Sequence, residues 1–128
     1  MQLERVLSHT KANLKTIQSY CPKQGLLIEG QWYKNNVLLN GNQMIEHWKF
    51  SETALLNFCI QQSHKPEVVI LGVEQPYSKT ENALDHARLL CLLNQAGIGL
   101  EIMPIHSACF TYTMLLGDLR PCIALFLF

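Results

Sequence analysis

Val68-Val69-Ile70-Leu71 is an unbroken apolar run, mostly β-branched, and Gly72 follows it directly. Such a strand has no polar face to offer water, so it reads as one covered by other elements on both sides. The longest apolar run, Cys122 to Phe128, also suits a buried strand. A chain with strands of this kind must supply layers to cover them.

The segments around these strands have the spacing to do so. Ser51 is a good N-cap, and Glu52 lies in a first turn where the helix dipole favours an anion. Leu55, Leu56, Cys59 and Ile60 recur at helical intervals, which predicts a helix over residues 52–62, and Pro66 ends that connection. Thr80 reads as the cap of a second helix, its face marked by Leu84, Ala87, Leu90, Cys91 and Asn94 until Gly97 stops it. Gly99 to Met103 reads as a strand and Ser107 to Leu116 as a third helix.

Upstream, residues 16–40 favour strands. Ile17, Ser19 and Cys21 alternate with their neighbours, and Leu26-Leu27-Ile28 and Val37-Leu38-Leu39 are extended segments. Lys23-Gln24-Gly25, Lys34-Asn35-Asn36 and Asn40-Gly41-Asn42 are turn signals between them. Met44 to Trp48 reads as a further short strand, with Ile45 and His47 on the face opposite Met44, Glu46 and Trp48. Residues 1–15 read as a short helix or a loose arm. Strands first, then helices and strands in alternation, predict an α/β fold. The expectation is a three-layer domain with a mixed central β-sheet, helices on its faces and an N-terminal antiparallel β extension. At 128 residues, with no linker, the chain is expected to be a single domain.

Charged residues make up only 16% of the chain, against a usual share of roughly 25%. So low a share predicts a self-association surface or a groove. Formal net charge is zero, which removes the field that would steer a nucleic acid. Cys21, Cys59, Cys91, Cys109 and Cys122 are odd in number, widely spaced and without a CxxC pair, so they read as free thiols of a reducing compartment. His47, His64, His86 and His106 show no HxH or HxxxH spacing, and no metal or other cofactor is expected. No segment reaches the ~20 apolar residues of a membrane helix. Glu4 and Arg5 stand where a secretory signal would need an apolar stretch, so a cytoplasmic location is expected.

The C-terminal third carries a resemblance. Gly97-Ile98-Gly99-Leu100-Glu101-Ile102-Met103, Ala108-Cys109, Thr111-Tyr112, Leu115-Leu116 and Arg120 fall in one fixed order. That order resembles the small α/β family of the mitochondrial complex I assembly factor 3 and the adipogenesis-associated domain-containing protein. Many uncharacterised bacterial and archaeal proteins belong to the same family. Gly72 at a strand end and Trp48 before the first helix resemble it too, and the likeness spans residues 17–128. It implies a three-layer fold around a mixed sheet and no defined reaction, one branch serving assembly of a respiratory complex. The chain departs from the pattern at Val73 and Glu74, where the family continues with a small residue and a glycine. Ile105 stands for a threonine, and Phe110, Thr113 and Leu119 stand for an arginine, an asparagine and a glycine. These changes weaken an anion or phosphate site at the strand-end crevice.

In an open α/β sheet, ligands lie outside the carboxyl ends of the strands. Those ends are residues 72–75 and 103–106, and the ligand-binding candidates gathered around them are Gly72, Glu101, Cys109, Thr111, Tyr112 and Arg120. Gly72 reads either as a structural turn or as close backbone approach to a ligand, against which Glu74 sets a negative charge. Cys109, three residues after His106 near a helix start, reads either as a packed small residue or as an activated thiol. Arg120 reads as a structural ion pair before substrate recognition, and Trp32-Tyr33 beside a turn as an interaction patch. No catalytic residue stands out. The leading expectation is a non-enzymatic accessory protein that binds a protein partner or itself. The alternative is a small-molecule binder or enzyme using the crevice near Gly72, Cys109 and Thr111.

Overall fold

The computed structural model describes residues 14–74 and 85–128. An antiparallel meander opens it: β1 (Ile17–Cys21), β2 (Gly25–Ile28) and β3 (Gln31–Tyr33), hydrogen-bonded in that order. A second antiparallel pair follows, β4 (Val37–Asn40) and β5 (Gln43–Glu46). Then come α1 (Glu52–Ile60), β6 (Val68–Val73), α2 (His86–Gln95), β7 (Gly99–Pro104), α3 (Ile105–Gly117) and β8 (Cys122–Leu127). Residues 1–13 of the expected arm, and Thr80 and Leu84 of the second helix, lie outside the described residues, while Leu14 and Lys15 are irregular rather than helical.

The central sheet has the order β5-β4-β8-β6-β7. β6 runs parallel to both β7 and β8, while β8 pairs antiparallel with β4, so the sheet is mixed as expected. The two apolar runs occupy its middle. Every residue of β8 is buried, and every residue of β6 after Val68.

Alternation along these two strands divides the core into two layers. Val69, Leu71, Ile123 and Leu125 pack with Leu55 and Cys59 of α1 and Leu89 and Leu93 of α2. Ile70, Ala124 and Phe126 pack on the opposite face with Leu26 and Ile28 of β2 and Ala108 and Tyr112 of α3. Each fully buried Leu, Ile or Phe contributes about 1.5–3 kcal/mol of transfer free energy. Three layers result: α1 with α2, the mixed sheet, and α3 with the small meander.

Several local expectations need correction. β5 stops at Glu46, because His47 takes φ 55° and its N–H donates to Asn35 Oδ1. That left-handed residue breaks the two-residue alternation. Trp48 therefore packs in the α1/α2 layer with Ile45, edge-on to Phe58 at 5.5 Å, rather than with Met44 in the other layer. Ser51 caps α1 as expected, its Oγ accepting from the Ala54 N–H, but Ile60 is 57% exposed because Cys59 already fills the inward position of the last turn. On α2 the expected Ala87, Leu90, Cys91 and Asn94 are exposed, and the buried stripe is Leu89 and Leu93. The described helix is capped by Asp85, whose carboxylate accepts from the Arg88 N–H. α3 begins at Ile105, two residues before Ser107, and Pro104 at its N-cap makes no side-chain capping bond.

Candidate functional site

At the carboxyl end of β6, Gly72 packs tightly beneath α3. A Cβ on Gly72 would sit 2.9 Å from both Ala108 Cβ and Phe126 Cδ1, so the glycine serves the close approach of α3 to the sheet. Val73 is buried and Glu74 exposed. Cys109, one residue beyond Ala108, packs at the edge of the same layer, and burial pushes its thiol up to about 12. His106 is exposed. Burial of this kind disfavours the thiolate, whereas an activated thiol needs a setting that favours it. Tyr20 of β1 faces this end as well. Its phenol is raised by burial and then by the neighbouring Glu74, Cys109 and Cys21, a set of acids that does not invite an anion.

The remaining candidates are dispersed. Thr111 Oγ lies 3.5 Å from Met103 Sδ. Glu101 is an exposed residue of β7, the edge strand, opposite Ile70. Tyr112 is fully buried, and its hydroxyl accepts the Gly41 N–H at 3.1 Å, pinning the β4–β5 turn to α3. Burial raises that phenol, the Cys122 thiol adds to the effect, and the Gly41 bond opposes it. Arg120 is exposed and places Nη2 and Nε 2.7 and 3.1 Å from Glu67 Oε1, an ion pair across the entries to β8 and β6. The ion-pair partner is Glu67 rather than Asp118, which is nearer in the sequence.

Among the described residues, open space lies at the opposite end of the sheet. A cleft of about 520 Å³ runs beside the amino ends of β6 and β8, between the β4–β5 turn and the α1–β6 connection. Asn40, Asn42, Gln43, Gln62, Ser63 and His64 supply its polar lining. Asn40 Nδ2 donates to Gln62 Oε1, and Gln62 Nε2 donates to the Phe58 carbonyl, so one wall is braced by side-chain amides. A second cleft of about 420 Å³ shares Asn40, Gly41 and His64 and adds Leu119 and Arg120. Only Arg120 of the candidate set lines these clefts, with Tyr112 holding the Gly41 wall from beneath. In the sequence Asn40-Gly41-Asn42 reads as a turn alone. The polar run Gln61-Gln62-Ser63-His64 before Pro66 was the available signal for the opposite wall. Among the described residues no cluster of three His, Cys, Asp or Glu converges as metal ligands, and no helix is long and apolar enough to cross a membrane.

Residues 17–127 match the model of a family described as protein of unknown function, DUF498/DUF598. The chain belongs to the DUF498/DUF598 family. The likeness to a small α/β family seen in its C-terminal third is thereby established. A DUF498/DUF598 chain is similar in fold to several solved structures. One, a protein from Bordetella parapertussis, is 18% identical with a TM-score of 0.73, over 89% of this chain and 95% of that one. Another, a Mth938-like domain from Bordetella pertussis, is 15% identical with a TM-score of 0.68, over 90% of this chain and 86% of that one. A third, described as an outer membrane protein from Bartonella henselae, is 18% identical with a TM-score of 0.65, over 90% and 95%. At these identities the likeness is one of fold. No curated protein matches the sequence.

Proposed function

We propose that this DUF498/DUF598 protein works by protein contact rather than catalysis, as an accessory domain docking a partner through the outer face of α3. The observation that carries this is the chemistry of that face. From Ile105 to Gly117 the helix holds no Asp, Glu, Lys or Arg, and it exposes Phe110 (68%) and Met114 (54%) one turn apart. A helix that meets only water ordinarily carries charge on its outer side. Neighbouring large apolar side chains there are what an interface core uses. Phe110 stands where the family resemblance has arginine, so the departure that weakens an anion site strengthens an apolar contact. Five free thiols support a cytoplasmic location.

Photo-cross-linking in the native extract from a benzophenone side chain placed at exposed Thr113, with mass-spectrometric assignment of adducts, tests the reading. Adducts through α3 should be lost in Phe110→Ser. An unchanged adduct pattern would remove the proposal.

A second reading rests on the amide-lined cleft at the amino ends of β6 and β8, whose volume falls in the range of small-molecule sites. It would take a small polar ligand, with the Tyr112-held turn at its wall and Arg120 in the adjoining second cleft. Melting-temperature titrations with acetate and with glucose, on the native protein and on Asn42→Ala, examine it. No shift with either probe in the native protein counts against it.

A further inference from the structure

We infer that the partner fitted by the outer face of α3 is a second copy of this chain, packed as an antiparallel helix pair. This rests on the protein-contact reading above and names its occupant. His106, Ser107, Phe110, Met114, Gly117 and Asp118 are all exposed and share the outward side of the helix and its C-cap. They are arranged symmetrically about the level of Tyr112.

A two-fold axis at that level sets Phe110 of each copy against Met114 of the other, a sulfur–aromatic contact. His106 and Asp118 then stand at equal distances from the axis, on opposite flanks of the Phe110–Met114 ridge. Aligning that i, i+4 ridge with the same ridge of its copy crosses the helices at about −50°. This crossing swings the flanks over each other, so that His106 of each copy meets Asp118 of the second copy. The face thus carries one cation-capable and one anionic group, placed to pair twice under the symmetry and nowhere to oppose a like charge. A foreign helix would require no such arrangement. Zero formal net charge leaves no long-range repulsion between copies. One helix pair buries less than the roughly 800 Å² per partner of a standard interface, so the dimer is of the weak, concentration-dependent class.

Sedimentation equilibrium of the full chain over a wide concentration range provides the test, with melting curves to show that each variant is folded. The native protein should shift from monomer to dimer as concentration rises. Phe110→Ser and His106→Asp should each weaken the association at least tenfold, the second by facing Asp118 with a like charge. The double variant His106→Asp/Asp118→Lys should restore it. A native protein that stays monomeric throughout, or a His106→Asp variant that associates normally, overturns the inference. If the native protein is monomeric while Phe110→Ser still loses α3 adducts in the extract, self-pairing fails and the protein-contact reading stands. If neither property depends on Phe110, both fail.

Discussion

Cys109 and Cys91 carry the same functional group in opposite surroundings. Burial lifts the Cys109 thiol from an ordinary 9.0 to about 12, whereas Cys91 lies exposed on α2. The thiolate is the reactive species, so the two should differ in rate far more than in chemistry. Iodoacetamide at mildly alkaline pH should label Cys91 within minutes and leave Cys109 unmodified until the protein unfolds, as read by peptide mass spectrometry. Rapid labelling of Cys109 in the native state would show an active thiol after all. The same scale explains which candidates were readable in the sequence. Arg120 was readable as an ion-pair residue because Asp118 stands two positions before it in the sequence. Its partner Glu67, 53 residues away, was not, because pairing across that separation is created by the sheet.

Helix ends show how an element is completed. α2 and α3 finish with the same hydrogen-bond pattern. Gly97 N–H donates to Asn94 O and Ile98 N–H to Leu93 O; Leu119 N–H donates to Leu116 O and Arg120 N–H to Leu115 O. Both therefore need a left-handed residue just past the cap, at φ 79° for Gly97 and φ 55° for Leu119. A leucine there is strained by about 1 kcal/mol, which accounts physically for the glycine that the family resemblance places at this position. Leu119→Gly should leave the fold intact and raise stability by about 0.5 kcal/mol in urea denaturation, the relief of strain exceeding the added entropy of the unfolded chain. A clear loss would mean that Leu119 packing outweighs its backbone strain. Between β6 and α3 the effect runs the other way. Gly72→Ala forces a methyl against Ala108 and Phe126, and should cost about 1–3 kcal/mol with a matching fall in melting temperature. A neutral result would show that α3 can move off the sheet freely.

At the scale of the molecule, buried thiols in both layers couple the fold to pH. Burial raises Cys59 and Cys122 to about 11 and Cys109 to about 12, each from 9.0 in its ordinary state. The unfolded chain releases these protons near pH 9.0 and the folded chain holds them to about 11, so the folded state binds more protons in that window. Stability should be level with respect to these groups below pH 9.0 and should fall progressively between 9.0 and about 11, with the buried Tyr112 phenol adding in the same direction. Melting temperature measured against pH checks this, and a flat profile across that window would contradict the burial of the thiols.

Local pattern determined most of the elements. The two apolar runs had to be interior strands, Ser51 had to start a helix, and Gly97 had to end one, since each outcome follows from the residues within one turn or one pleat. The mixed three-layer fold followed from their order. What failed was register where a single residue departs from regular geometry: left-handed His47 sends Trp48 to the other layer, and α2 turns Leu89 and Leu93 inward instead of Leu90 and Cys91. Choosing among apolar residues 100° apart on a short helix depends on what it packs against. The candidate site depended on tertiary structure most of all. Gly72 lies where α3 packs closely on the sheet, and the cleft at the other end is lined by Asn40 of β4 and Gln62 after α1, elements that long-range strand pairing brings together. Sequence determined the layers because burial follows composition locally; tertiary structure decided where space remained between them, because space is set by long-range packing.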